Sequence, residues 1–311
     1  MMEFRPGNAQ WIGRREDQQD AFGFAGFAPD GGRGGVLAVV ADGIGGLRDG
    51  GPASRLAVQR MLAAFDERRP DEPPPQILRR ALGAANRAVY ELACSSVGAG
   101  AMGTTLVAAL VQGDQLYWVS VGDSRLYLYR EADGSVVQCT HDHNYRNELL
   151  AQVAAGRFSR AAAQTAPGGD ALTSFVGMAK IAQVDCNRRP LTLLPGDRVL
   201  LCSDGVHGVL SVTELAVALR QGAQTGAAAL LDAVKAKALD RQDNATVALI
   251  ACEPEPEPAQ RAPGDAEAVP LNQPSRWRGR LALLLGVSVA LAVGFWVGRE
   301  LMSGASFWFR P

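Results

Sequence analysis

Val36–Gly46, with the sequence VLAVVADGIGG, joins a run of apolar residues to an Asp and a cluster of glycines. Arg198–Val206, RVLLCSDGV, repeats this order far downstream. Both apolar runs have the length and composition of buried strands. An Asp-Gly pair is typical of a turn, so a single one would indicate nothing more. Two of them, each ending a buried strand, favour a site that the two strands share.

The composition is that of a globular protein. The chain has 311 residues, enough for one sizeable domain or two small ones. Apolar residues make up 47% and charged residues 20%, and the net charge of -1 does not indicate a nucleic-acid partner. The five cysteines are scattered without zinc-binding spacing, and we expect them to be reduced. The N-terminus lacks the apolar region of a signal peptide.

Hydrophobic periodicity predicts an α+β protein. Strands are predicted at Val36–Ala41, Thr104–Val111, Gln115–Val121, Arg125–Tyr129, Val136–Thr140, Arg198–Ser203 and Thr246–Ala251. Helices are predicted around 58–65 and 78–92, from a capping box at Ser211 and Glu214 through Leu219, and at Gly226–Leu239. Short turns between strands indicate antiparallel neighbours, and the separate helices predict helical layers outside packed sheets.

An uncharged segment lies near the C-terminus. Leu281–Gly298 has no charged residue, and as a helix it would be about 27 Å long, enough to cross a bilayer core. A buried core helix is the alternative. Arginines and tryptophans flank both ends and favour a transmembrane helix. Arg276, Arg278 and Arg280 precede it, which predicts a single-pass protein of the cell membrane with its N-terminal body in the cytoplasm.

The chain therefore divides into four parts. Residues 1–252 are predicted to form one soluble domain. Residues 253–275 begin with EPEPEP, are rich in Pro, Glu and Ala, and read as a disordered linker. Residues 276–300 are the predicted transmembrane helix with its basic flank, and residues 301–311 form a short tail.

Five acids follow or join the predicted strands: Asp20, Asp42, Asp123, Asp204 and Asp243. Taken singly, each reads as an ordinary turn acid or helix cap. Brought to one rim, five carboxylates would repel one another unless a cation lay among them. Mg²⁺ and Mn²⁺ prefer oxygen ligands, so a divalent-metal site is the natural prediction.

Seven motifs in order carry a resemblance to a known family. They are Arg15–Asp20 (REDQQD), Val40–Gly46 (VADGIGG), Gly103–Thr105 (GTT), Val121–Arg125 (VGDSR), Thr140–His143 (THDH), Leu201–Gly205 (LCSDG) and Asp243–Asn244 (DN). In this order they resemble the bacterial-type members of the metal-dependent protein phosphatases of type 2C (PPM). The resemblance implies a four-layer α-β-β-α sandwich of two antiparallel sheets. It also implies hydrolysis of phosphoserine and phosphothreonine by water that two Mn²⁺ or Mg²⁺ ions activate.

The resemblance assigns roles to single residues. It implies that Asp42 bridges the two metals, that the Gly43 carbonyl binds one, and that Asp204 and Asp243 hold the other. Asp20 would reach the metals through water, and Asp123 would hold a third, weaker ion. Arg15 would bind the substrate phosphate as a bidentate fork, which a guanidinium does better than an ammonium. The alternative for Arg15 is a surface salt bridge to Glu16 or Asp17.

The sequence departs from the family pattern at a few positions. Ile44 stands where some members carry a His, Gln18 where Asn is common, and Ser174 where Arg is usual. For His141 and His143, which lie next to a predicted strand end, a structural role is favoured over acid catalysis. The long segment Asn144–Asp170, predicted to be rich in loops, resembles the variable flap of the family, and either selects substrates or is a surface insertion.

The expected partners are phosphorylated proteins, made by a Ser/Thr kinase at the same membrane. The rival hypothesis is a membrane-tethered, non-catalytic domain of the same fold that binds phosphoproteins or has a regulatory role.

Overall fold

The structure, a computed structural model, describes residues 2–27, 34–44, 50–95 and 102–254. The predicted transmembrane helix, the tail and nearly all of the predicted linker lie outside these residues. Among the helices that are described, none combines the length and the hydropathy that crossing a bilayer requires.

The described residues form twelve strands and seven helices. The strands are β1 (Met2–Trp11), β2 (Asp20–Phe27), β3 (Gly35–Ile44), β4 (Gly103–Thr104), β5 (Leu106–Gln112), β6 (Gln115–Val121), β7 (Arg125–Tyr129), β8 (Val136–Gln138), β9 (Asp185–Cys186), β10 (Leu191–Thr192), β11 (Arg198–Cys202) and β12 (Ala245–Pro254). The helices are α1 (Gly50–Asp66), α2 (Pro74–Ser95), α3 (Tyr145–Ala154), α4 (Arg160–Thr165), α5 (Asp204–His207), α6 (Val212–Leu219) and α7 (Ala223–Ala236).

The strands form two antiparallel sheets. The first has the order β1-β12-β11-β7-β8, and the second has β10-β6-β5-β3-β2, with β4 paired to β3 and β9 to β6. Helices α1 and α2 pack on the second sheet, and α6 and α7 pack on the first. The predicted α+β class and the two antiparallel sheets are confirmed.

The four layers explain why residues 36–41 of β3 are all apolar. Along β3, Leu37, Val39 and Ala41 pack with α1 and α2, whereas Val36, Ala38 and Val40 pack against the other sheet. Successive side chains of a strand point to opposite faces. An antiparallel strand with one face in water would alternate with polar residues, but β3 is covered on both faces.

The edge strands and the flap differ from the sequence-based expectation. β1 and β2 lie at sheet edges and were not predicted. Pro6 and Gly7 dilute the strand pattern of β1, and an edge strand tolerates Pro because one side of its ladder is free. The segment Asn144–Asp170, expected to be rich in loops, contains α3 and α4, whose N-caps are Asn144 and Ser159. The predicted capping box that begins α6 is present.

Candidate active site

The pairing of β2 with β3 places two of the acids side by side. Asp20 lies opposite Asp42 in the antiparallel register, and opposite residues share one face of a sheet. The backbone of Asp42 is held in turn by Thr105. The Asp42 N–H donates to the Thr105 hydroxyl at 2.9 Å, and the Thr105 N–H donates to the Asp42 carbonyl at 2.8 Å.

The pairing of β11 with β12 brings Asp204 and Asp243 to the same end of the other sheet. Beyond β11 the ladder continues with the Ser203 N–H, which donates to the Thr246 carbonyl at 3.1 Å. Gly205 then packs directly on the chain next to Asp243, because an added Cβ would lie 1.9 Å from the Asn244 carbonyl oxygen. Any side chain at this position would push the two acidic loops apart.

Side chains join the two sheets at this end. The Ser203 hydroxyl donates to Oδ2 of Asp20 at 2.7 Å, although the two residues are 183 positions apart. Gln10 donates to the Asp20 carbonyl at 3.1 Å and to the Thr246 hydroxyl at 3.0 Å. These bonds hold the acids of the first sheet against those of the second.

The Gly122–Ser124 turn completes the arrangement. The Ser124 hydroxyl lies 2.7 Å from the Thr105 hydroxyl, which links this turn to Asp42. On its other side, Nε2 of His207 lies 3.0 Å from the Asp123 carbonyl. The turn that carries Asp123 is thus held between Thr105, which directly precedes β5, and the short helix that begins at Asp204.

The pKa values show that the five acids share one electrostatic site. Burial, with neighbouring acids as a smaller cause, raises the pKa of Asp20 to about 6 and that of Asp123 to about 7. Burial, and then repulsion from Asp20, Asp204, Asp123 and Asp243, raises the pKa of Asp42 well above its usual range. The pKa of Asp204 is also raised, by burial and by Asp243. All five predicted acids therefore interact.

Two carboxylate oxygens in this site lack partners. Oδ1 of Asp20 and Oδ1 of Asp204 are buried without a hydrogen bond, which is rare for buried polar atoms. At an effective dielectric constant of about 20, two charges about 4 Å apart repel by about 4 kcal/mol. A set of oxygen donors under such repulsion fits a hard divalent cation.

The arrangement of the side chains limits how such ions would be held. Within the described residues, no group of three or more His, Cys, Asp or Glu side chains stands ready to hold an ion. Ser203 donates to Oδ2 of Asp20, and Arg15 donates to Oδ2 of Asp243. Mg²⁺ binds through only one or two carboxylates and keeps several waters, so these donors still fit the predicted metals.

The backbone of Gly43, whose carbonyl the resemblance assigns to a metal, is fixed by its neighbours. Its N–H donates to the Gln19 carbonyl at 3.2 Å, and an added Cβ would lie 2.3 Å from the Gly50 carbonyl oxygen. The start of α1 thus packs directly on Gly43, and this fixes the backbone next to Asp42. The neighbouring residues 45–49 lie outside the described part of the chain.

Arg15 lies at the rim of the acids. Its guanidinium donates to Oδ2 of Asp243 at 2.6 Å, and its side chain is 56% exposed. Among the described residues it makes no salt bridge to Glu16 or Asp17, the alternative considered from the sequence. The structure therefore connects Arg15 to the acidic cluster and leaves most of the guanidinium open to solvent.

Sequence reasoning missed the polar residues that position the acids. Asn244 accepts from the Gln19 N–H at 2.7 Å and donates to the Ile12 carbonyl at 2.8 Å. Gln242 is buried and donates to the Gly205 carbonyl at 3.0 Å. Ser203, Gln242 and Asn244 stand beside the predicted acids in sequence, but only their contacts reveal what they do.

The three histidines have distinct positions. His141 is exposed, whereas His143 is buried and its Nδ1 accepts from the Gly122 N–H at 3.1 Å. His207, which sequence reasoning did not consider, contacts the backbone of Asp123. Burial lowers the pKa of His207 to about 4, so the ring is neutral at neutral pH.

The fold and the site define an α-β-β-α sandwich with carboxylates gathered at one edge. A model of the family described as protein phosphatase 2C matches residues 10–242. The serine/threonine phosphatase stp of Listeria welshimeri is 32% identical over 217 residues, which cover 69% of this chain and 83% of that protein. The chain therefore belongs to the protein phosphatase 2C family.

Solved structures show the same fold. The serine/threonine phosphatase of S. agalactiae is similar with a TM-score of 0.67 and 30% identity, over 81% of this chain and all of that one. The catalytic domain of the serine/threonine phosphatase PstP, in complex with two manganese ions, is similar with a TM-score of 0.62 and 26% identity, over 82% of this chain and all of that one. The predicted enzyme class, a protein-serine/threonine phosphatase, is confirmed, and the predicted Mn²⁺ or Mg²⁺ cofactor agrees with the PstP complex.

Proposed function

We propose that this protein hydrolyses phosphoserine and phosphothreonine in proteins, with two divalent ions held by the acids at the sheet ends. One observation carries the proposal. Asp20, Asp42, Asp123 and Asp204 converge from both sheets with raised pKa values and with Asp243 beside them, and among the described residues Arg15 is the cation that forms a salt bridge with these acids. A purely structural role of these acids does not explain why carboxylates that repel one another are placed together.

The proposed ligands follow the resemblance and the contacts. Asp42 would bridge two ions, with the Gly43 carbonyl on one and Asp204 and Asp243 on the other. Asp20 would act through water, and Asp123 would hold a third, weaker ion. When bound, Mn²⁺ or Mg²⁺ lowers the pKa of bound water, so that hydroxide is available near neutral pH.

The residues of the chain supply binding and orientation. Arg15 has donors beyond the one that bonds Asp243, and these bind the oxygens of the substrate phosphate. Ser203 and Thr105 keep the acids in place through the hydrogen bonds described above. Ile44 has no proton to give, so the departing serine or threonine alkoxide takes its proton from water.

The first experiment measures the hydrolysis of an aryl phosphate and of a phosphoserine peptide by the full-length protein with Mn²⁺, with Mg²⁺ and with EDTA. We expect hydrolysis with either metal and none with EDTA. A melting temperature that rises with Mn²⁺ concentration would show metal binding without reference to activity. A folded protein that binds the phosphopeptide but hydrolyses neither substrate would instead support the rival, non-catalytic domain.

We also propose that the protein is held at the cell membrane through Leu281–Gly298, with the phosphatase domain in the cytoplasm. The support is the uncharged sequence and its arginine-rich flank alone, since the segment lies outside the described residues. The substrates would then be phosphoproteins made by a Ser/Thr kinase at that membrane.

Cell fractionation tests this second proposal. We expect the full-length protein to sediment with membranes, and a variant with Leu284→Arg and Leu285→Arg to be released, because two charges in the span oppose insertion. A conservative control with Leu284→Ile and Leu285→Ile should stay with the membranes. Wild-type protein that remains in the soluble fraction would contradict the proposal.

A further inference from the structure

An open cleft of about 660 Å³ is lined by none of the five acids of the candidate site. Its walls are His141–Asn144, one side of α3, and the stretch Gln183–Asp185. None of its lining residues is Lys or Arg. The walls belong partly to the flap-like insertion and partly to the strand β9 of the second sheet.

A buried histidine presents a hydrogen-bond donor to this cleft. His143 is only 6% exposed, and its Nδ1 accepts from the Gly122 N–H at 3.1 Å. A neutral imidazole has one acceptor and one donor nitrogen, so its proton is on Nε2. No described residue hydrogen-bonds to Nε2, and His143 is among the residues that line the cleft. The backbone N–H of His143 also donates to the Gly122 carbonyl at 2.9 Å.

Two carboxylates at the cleft lack a firm cationic partner. Asp185 accepts from the His141 N–H at 3.0 Å, and the exposed His141 ring is 3.7 Å away. Glu148 accepts a hydrogen bond from the Gln183 amide at 3.0 Å. Each of these carboxylates keeps one oxygen without a hydrogen bond among the described residues. A third acid, Asp142, is neutralised by Arg125, whose guanidinium donates to it at 2.6 to 3.1 Å.

We propose that the cleft binds an arginine side chain of the protein substrate, a few residues from the phosphorylated one. This rests on the proposed phosphatase function. A planar guanidinium has enough donors to reach both Asp185 and Glu148, whereas an ammonium is a compact and strongly hydrated charge. The His143 Nε2–H then donates to a carbonyl of the same peptide.

The cleft is placed to act together with the acidic site. His143 holds Gly122 through two hydrogen bonds, and Gly122 directly precedes Asp123. In the proposed complex, one peptide places its phosphoserine among the acids and its arginine in the cleft.

Histidine resonances provide a test that does not depend on activity. The chain has three histidines, so ¹⁵N-histidine labelling of the full-length protein gives a spectrum that can be assigned by substitution. The probe is the unphosphorylated peptide Ac-Ala-Arg-Ala-NH₂, with its citrulline counterpart as the neutral isostere. We expect a saturable shift of the His143 imidazole with the arginine peptide, and binding about tenfold weaker with citrulline. Equal shifts with both peptides, or no shift at millimolar concentration, would overturn the proposal.

Kinetics test whether the cleft selects substrates. We expect kcat/KM to be about tenfold higher for phosphoserine peptides with a nearby arginine than for their citrulline counterparts, through KM. Asp185→Asn and Glu148→Gln, which keep an acceptor for His141 and Gln183, should each reduce this preference and together abolish it. Asp232→Asn, on α7 over the other sheet, is the matched control and should keep it. Aryl phosphate hydrolysis should be the same in all of them.

The outcomes separate the two proposals. If aryl phosphate is hydrolysed but peptides show no arginine preference, or if the double variant retains the preference, the proposed arginine site is contradicted. The proposed phosphatase function is not affected by either result. Failure of all hydrolysis by a folded protein would sink the phosphatase, whereas the imidazole shifts would still report on the cleft.

Discussion

The two ends of β11 carry acids in opposite situations. Asp197, just before the strand, is buried and accepts from Arg130 at 2.5 Å and from the Leu194 N–H at 2.8 Å. Asp204, just after the strand, keeps a buried oxygen without any hydrogen bond and faces other acids. A buried acid with its own arginine serves the fold. A buried acid among other acids marks a position where something else must supply the positive charge.

The largest effect is expected from a substitution of Asp204. Asp204→Asn should lower aryl phosphate turnover with Mn²⁺ by at least about 10²-fold, because charge that stabilises the transition state depends on it. The metal-free protein should be as stable as wild type or more so, since an unpaired buried charge is removed. Turnover and urea unfolding in EDTA check both parts. Wild-type turnover would remove Asp204 from the proposed ligands.

The matched change at the opposite end of β11 should lower the stability and leave the turnover unchanged. Asp197→Asn leaves Arg130 without its counter-charge and should cost about 3 kcal/mol of unfolding free energy. Turnover per folded molecule should not change, since this residue is at the far end of the strand. Urea unfolding, with activity measured below the transition, checks this. If Asp197→Asn and Asp204→Asn had the same effects, the contrast between the two ends would be wrong.

Arg15 sharpens the comparison, because it is the cation that pairs at the acidic end. Arg15→Lys keeps the charge and loses the bidentate fork, so kcat/KM for an aryl phosphate should fall about 10- to 100-fold, as for the loss of one hydrogen bond to a charged group. Arg14→Lys, one position away and also exposed, is the control. An equal loss in both variants would indicate a general effect of charge or folding.

The smallest effect concerns a surface acid with a purely local role. A hydrogen bond from Lys237, and then bonds from Ser211, lower the pKa of Glu214 to about 2. A lowered carboxyl pKa gives stability that is present above the unfolded value of 4.5 and is lost as the pH falls towards 2. Glu214→Gln should therefore lower the urea midpoint slightly at pH 7, and the difference should shrink towards pH 3. A difference that persists at pH 3 would contradict this.

Much of the fold could be predicted from local pattern. Gln115–Val121 and Arg125–Tyr129 are strands with the predicted bounds, because their pattern and the turns beside them agree. β1 and β2 escaped prediction, because Pro and Gly interrupt their apolar residues and weaken the strand pattern in the sequence. The flap helix α3 escaped for another reason. It buries only Leu149, so it shows little hydrophobic periodicity.

The acids of the site could be predicted from the sequence, but the residues that hold them in place could not. An Asp at the end of an apolar strand is visible in the sequence, and seven motifs in order restrict what it does. The bond between Ser203 and Asp20 spans 183 positions, and no local pattern connects the two. The cleft beside His143 was equally hidden, because its walls come from separate segments that meet only in the folded chain.

By itself, the sequence determined which strands are covered on both faces and where acids end them, because a strand that is apolar at every position can be stable only between two layers. The tertiary structure alone decided which acids form an ion pair with an arginine and which lie among other acids. Asp197 meets Arg130 across 67 positions, and Asp42 meets Asp20 from the neighbouring strand and Asp204 from the other sheet. Electrostatic energy depends on separation in space, and folding sets that separation.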